Sequence, residues 1–86
     1  MPGDLMDVTA IVLINVKKGA VNEVAKELSK MDEIVEVHSV AGMYDLVAKV
    51  KVKEYERLSD IITEKMQTID GIERTMTMLC FHTFKI

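Results

Sequence analysis

An α+β fold with the element order β-α-β-β-α-β is predicted by three features of the sequence. Four runs are rich in β-branched residues, two amphipathic stretches stand between them, and the two halves of the chain repeat each other. The repeat has an offset of 38 residues: Ala10 falls on Ala48, Val12 on Val50, Val24 on Ile62, Leu28 on Met66, Met31 on Ile69, Asp32 on Asp70 and Ile34 on Ile72. Two βαβ units joined through a central hairpin form the split βαβ, or ferredoxin-like, arrangement. Right-handed crossovers then place both helices on one face of a four-stranded antiparallel sheet.

The first strand is Val8 to Val16. Val8, Ala10, Val12, Ile14 and Val16 form one of its faces, and Thr9, Ile11, Leu13 and Asn15 the other. Both are largely apolar, whereas a strand with one wet face alternates apolar and polar residues. Lys17-Lys18-Gly19 is a turn. Ala20 to Met31 is a helix with Val21, Val24, Ala25, Leu28 and Met31 on one stripe and Glu23, Lys26, Glu27 and Lys30 facing water.

The central hairpin has strands Ile34 to Val40 and Leu46 to Val52 around the break Ala41-Gly42-Met43-Tyr44-Asp45. The second helix covers Glu54 to Thr68, with Tyr55, Leu58, Ile61, Ile62 and Met66 inward, followed by Ile69. Asp70-Gly71 turns the chain into the last strand, from Ile72 to about Cys80 or Phe81, with a trailing extension. Met1 to Asp7 reads as a loose tail, because Pro2-Gly3-Asp4 favours turns and nothing periodic begins there. Residues 8–86 then make one domain.

Two helices cover only one sheet face, and Ile11, Leu13, Val47, Met76 or Leu79 must populate the other. A bare apolar face of several hundred Å2 exceeds what soluble monomers usually show. At 86 residues and 49% apolar composition, the chain is also small for the surface it has to hide. The open sheet face is therefore expected to pack on a second copy, as a two-fold homodimer.

Composition excludes several function classes. A net charge of −3, with 9 Lys and 2 Arg among 14 acids, offers no basic field for nucleic acid. No aromatic stands at Ile11, Leu13, Val47 or Lys49, where a sheet that stacks RNA bases would place one. One cysteine, Cys80, leaves no Cys-x-x-Cys metal pair and suits a reducing cytoplasm. No signal peptide, P-loop or apolar run of ~20 residues appears.

For catalysis, Cys80 and His82 would share a face of the last strand as a nucleophile pair. No orienting group stands nearby, and Cys80 reads more simply as a small buried hydrophobe. Met31, Met66 and Met76 read as core filler. No enzyme, cofactor or metal site is indicated. His38, mid-strand, is a ligand contact, a pH-sensitive interface group or an ordinary half-exposed strand residue.

At the hairpin the sequence becomes more specific. Gly42-x-Tyr44-Asp45-Leu46, together with Ala10-Ile11-Val12-Leu13-Ile14, Glu36-Val37, and Ile69-Asp70-Gly71-Ile72 followed by Thr75-x-Thr77, resembles the effector-binding half of Lrp/AsnC transcriptional regulators, the RAM domain. The resemblance covers roughly Val8 to Phe81. It implies binding of an amino acid or similar metabolite where subunits of neighbouring dimers meet, in dimers that close into a ring such as an octamer. The implied contacts are Gly42, Met43, Tyr44, Asp45, Thr75 and Thr77, with His38 nearby.

Physical chemistry suits these residues to a zwitterion. Asp45 offers a carboxylate for the ammonium group, and N–H groups near Gly42 with the Thr75 and Thr77 hydroxyls offer donors for the carboxylate. Tyr44 supplies an apolar wall with a polar tip. Each also has a structural role open to it: Gly42 in the turn, Asp45 on loop backbone, the threonines as strand formers and Tyr44 in a subunit interface. Full-length family members carry an amino-terminal helix-turn-helix, and seven residues before the first strand leave no room for one. The resemblance is thus to stand-alone RAM proteins, which implies regulation through co-assembly with a DNA-binding relative rather than direct DNA contact. A small dimeric α+β-barrel enzyme and a ligand-free assembly module are the alternatives.

Overall fold

The computed structural model describes residues 7–86. The expected loose tail lies outside them except for Asp7, which pairs with Lys53 at 3.3 Å. The strands are β1 (Val8–Val16), β2 (Ile34–Ser39), β3 (Leu46–Val52) and β4 (Ile72–Cys80). They form one antiparallel sheet in the order β2-β3-β1-β4. Helix α1 spans Val21–Ser29. Helix α2 begins at Tyr55–Asp60 and continues through a π turn at Ile61–Lys65 and a 3-10 turn at Met66–Thr68. The chain is thus α+β with the ferredoxin-like order β-α-β-β-α-β. Among the described residues, no helix is long and apolar enough to cross a membrane.

The core lies between the sheet and the helices. Ala10, Val12, Ile14 and Val16 of β1 and Leu46, Ala48, Val50 and Val52 of β3 are buried, and Val24, Leu28, Leu58, Ile61 and Met66 close over them. The equivalence of the two halves is visible here, since β1 and β3 lie side by side with Ala10 opposite Val50 and Val12 opposite Ala48. Gly71 fixes where the second half joins the first. Its φ is +104°, and a Cβ there would stand 2.9 Å from Val24 Cγ2 and 3.2 Å from Ala20 Cβ. Both the backbone conformation and the packing against α1 demand glycine.

Several local expectations change. Tyr55 opens α2 and is exposed rather than inward. The π turn advances the inward stripe, so Ile61 is fully buried while Ile62 is only partly so. Leu79 pairs with buried Ala10 and so belongs to the helix side of the sheet. The open face is carried by Ile11, Leu13, Val47, Met76 and Met78. Met76 is therefore exposed and not core filler. Cys80 is likewise exposed, and β4 ends there, so His82 shares no strand face with it.

Strand β4 is an edge strand with no residue in the buried core. Its helix-side row of Thr75, Thr77 and Leu79 contributes none of the core's buried residues.

An ion cluster ties the start of β2 to α2. Glu33 Oε2 accepts from Arg57 at 2.6 Å and Lys65 at 3.1 Å, and the carboxylate is only 15% exposed. Its own backbone N–H and these two cations hold the carboxyl below its ordinary value of 4.5, against an opposing push from burial. A depressed carboxyl adds stability above its ordinary value and loses it as pH falls through the folded-state value. Glu33→Gln is expected to cost about 1 kcal/mol at neutral pH, read as a fall in Tm of about 4–8 °C. The gap between the two proteins should close as the pH drops below about 4; a gap that persisted in acid would rule out the ion cluster as its source.

Candidate ligand-binding site

The hairpin loop, the end of β1 and the start of β4 converge at one end of the sheet. Asp45 sits at their centre. Its N–H donates to the Ile14 carbonyl at 2.9 Å, and its carbonyl accepts from the Val40 N–H at 3.0 Å. Its Oδ2 accepts from the Val16 N–H at 2.9 Å. The side chain thus reaches β1 instead of its own loop, at the point where pairing with β4 shifts register between Asn15 and Val16. Pairing of β1 with β3 stops at Ile14 opposite Leu46, so the Val16 N–H one step beyond is met by the carboxylate.

Asn15 completes the clamp. Its Nδ2 donates to the Met43 carbonyl at 2.9 Å, and its Oδ1 accepts from Arg74 at 3.4 Å. Gly42 lets the loop bend back to this contact, at φ +129° with nothing within 4 Å of a built Cβ. Backbone conformation, not crowding, selects glycine there. The Tyr44 hydroxyl lies 3.5 Å from Met76 Sδ, so the phenol reaches over the open sheet face toward β4.

An open groove of about 380 Å3 results, lined by Asn15, Val16, Asp45, Glu73 and Arg74. Its lining carries two carboxylates and one guanidinium. A zwitterion fits that chemistry, its ammonium toward Asp45 or Glu73 and its carboxylate toward Arg74, which can grip it with two N–H donors.

Of the residues singled out from sequence, Asp45 lines the groove; Gly42, Met43 and Tyr44 precede it in the loop and do not line it, Met43 touching the groove residue Asn15 through its carbonyl. Thr75 and Thr77 stand on the helix side of β4, opposite Ile14 and Val12, and do not line it. His38 lies on β2, opposite Val47. Its Nε2 is 3.0 Å from Glu36 Oε1, and Lys49 is 3.6 Å from the same carboxylate. The histidine hydrogen bond, then the lysine charge, lowers the Glu36 pKa. Sequence reasoning missed Asn15, Glu73 and Arg74. The available signals were Asn15 as the polar end of an otherwise apolar face, and Arg74 as one of two arginines.

Residues 9–86 match the family model described as the Lrp/AsnC ligand binding domain. The chain belongs to this family. Among similar proteins, the HTH-type transcriptional regulator FL11 from Pyrococcus horikoshii is 41% identical over 76 residues, covering 88% of this chain. The chain spans about half the length of such curated relatives (50% for FL11). The crystal structure of TTHA0845 from Thermus thermophilus superposes with a TM-score of 0.86 at 37% identity, over 92% of this chain and 99% of that one. The feast or famine regulatory protein Rv3291c from M. tuberculosis, complexed with L-methionine, shares the fold at 23% identity, with a TM-score of 0.83 over all of this chain and 58% of that one.

The geometry of this Lrp/AsnC domain gives Asp45 a structural duty that can be measured without ligand. Asp45→Ala strands the Val16 N–H, and the loss of a hydrogen bond to a charged group is worth roughly 1.5–3 kcal/mol. Asp45→Asn keeps an acceptor there and should lose less than half as much in chemical denaturation. Equal losses would refute the Val16 contact as the reason.

Proposed function

We propose that this Lrp/AsnC domain is a non-enzymatic regulatory module that binds a free amino acid in the groove between Asp45 and Arg74. The opposed charges on a rigid backbone corner carry this reading. An amino acid presents an ammonium and a carboxylate on one carbon, and few other small metabolites match both poles. The L-methionine held by the M. tuberculosis relative supports the ligand class. The groove is open on one side, which favours a site finished by a neighbouring copy. Ile11, Leu13, Val47, Met76 and Met78 on the open sheet face favour a homodimer formed sheet to sheet, and larger rings built from such dimers. Because the match covers one half of helix-turn-helix regulators, the module would act on transcription together with a DNA-binding half, whether in one chain or by assembling with a DNA-binding relative.

Thermal shift against the twenty amino acids, read beside light scattering, tests the proposal. A true ligand at a hundred times its Kd stabilises by about 2.7 kcal/mol. Arg74→Gln and Asp45→Asn should each weaken that shift at least tenfold in ligand concentration. No shift with any amino acid would leave an assembly module without a ligand. An undiminished shift in Asp45→Asn would move the site elsewhere.

A further inference from the structure

Strand β4 carries one extra residue against β1. Asn15 faces Arg74 and Val16 faces Ile72, so Glu73 has no partner in the ladder. Without that shift Val16 would face Glu73. Val16 is buried on the helix side, and strand alternation would then send the carboxylate toward the core. The bulge seats Ile72 in that place instead, packed against the core. Glu73 joins its neighbour Arg74 in lining the groove. Bulges re-aim side chains in this way beside functional sites. Among the described residues the Glu73 carboxylate makes no hydrogen bond or ion pair, and the Arg74 guanidinium makes only its 3.4 Å contact with Asn15. Lys17 stands outside the groove lining and is matched by Asp70 at 3.7 Å.

The groove thus holds two acids, Asp45 and Glu73, against one base, Arg74. An amino acid with a neutral side chain pairs its ammonium with one acid and its carboxylate with Arg74, and the second acid stays unmatched. We propose that the groove selects an amino acid with a basic side chain, of the lysine, ornithine or arginine kind, and that Glu73 is the residue that reads the second cation. That selectivity rests on the amino-acid reading of the groove given above and names its ligand class. Asp45 suits the α-ammonium, because the Val16 N–H holds one of its oxygens in place. Glu73 suits the far end of a side chain, because its carboxylate is exposed and unpaired and can follow a flexible stem. Arg74 keeps further N–H donors for the ligand carboxylate. A volume of about 380 Å3 corresponds to about a dozen waters at their liquid volume, which leaves room for a stem of lysine's length. An acidic side chain would bring a third carboxylate beside Asp45 and Glu73, and like charges so placed repel.

Calorimetric titration of the whole chain with lysine, norleucine and glutamate tests the assignment. Norleucine is lysine without its terminal ammonium, so it separates charge from length. Lysine should bind about tenfold or more tightly than norleucine, the worth of one charge-assisted contact, and glutamate more weakly than either. In Glu73→Gln the preference for lysine over norleucine should disappear, and Glu73→Lys should turn it toward glutamate. Both variants should keep the wild-type circular dichroism, because Glu73 is exposed. Norleucine binding as tightly as lysine to the wild-type chain, or a lysine preference that survives Glu73→Gln, would overturn the role of Glu73 and leave the amino-acid groove standing. No binding by these three or by any of the twenty amino acids would overturn both.

Discussion

Asp45, the residue before β3, is tied to β1 and to the end of β2 through three different atoms. Its N–H meets the Ile14 carbonyl, its carbonyl meets the Val40 N–H, and its carboxylate meets the Val16 N–H. The last of these takes the place of the next ladder bond, because pairing of β1 with β3 stops at Ile14 opposite Leu46. A short polar side chain at the mouth of a hairpin usually satisfies its own loop. Here it anchors the loop to the neighbouring strand. The groove exists because of that anchor: its floor is the β1 terminus, one wall is the loop, and the other is the start of β4.

The same anchor bears on chemistry as well as shape. One oxygen of Asp45 is committed to backbone, so the side chain is fixed in direction before a ligand arrives. Preorganised groups of this kind lose little entropy on binding. Asn15 does the same for the opposite pole, holding the Met43 carbonyl with one end and touching Arg74 with the other. Loop and guanidinium are thus positioned through a single side chain.

Strand β4 stands apart from the other three. β1 and β3 each bury one whole face beneath the helices, and β2 buries Ile34. β4 buries nothing fully. It is held by its pairing with β1, and its apolar side chains point to both sides of an uncovered edge. The domain therefore closes its core with three strands and presents the fourth, with the segment beyond it, outward. That asymmetry concentrates the exposed apolar area on β4 and the segment beyond it, where the proposed self-association would cover it.

The sequence by itself determined the element order, the duplicated halves and the core residues of β1, α1 and β3. Those follow from the periodicity of neighbouring residues, which local sterics and burial enforce. It also marked the hairpin loop as special, since Gly42, Tyr44 and Asp45 combine a glycine, an aromatic and a carboxylate in one short turn. Only the tertiary structure decided which face each β4 residue takes. One register pairing puts Thr75 and Thr77 on the helix side and Met76 and Arg74 on the open side. A one-residue slip would exchange them, and nothing local to β4 sets that choice. The π turn in α2, which moved burial to Ile61, was hidden for a similar reason. So were Asn15 and Arg74, which lie 59 residues apart in the chain and come together only when β4 pairs with β1.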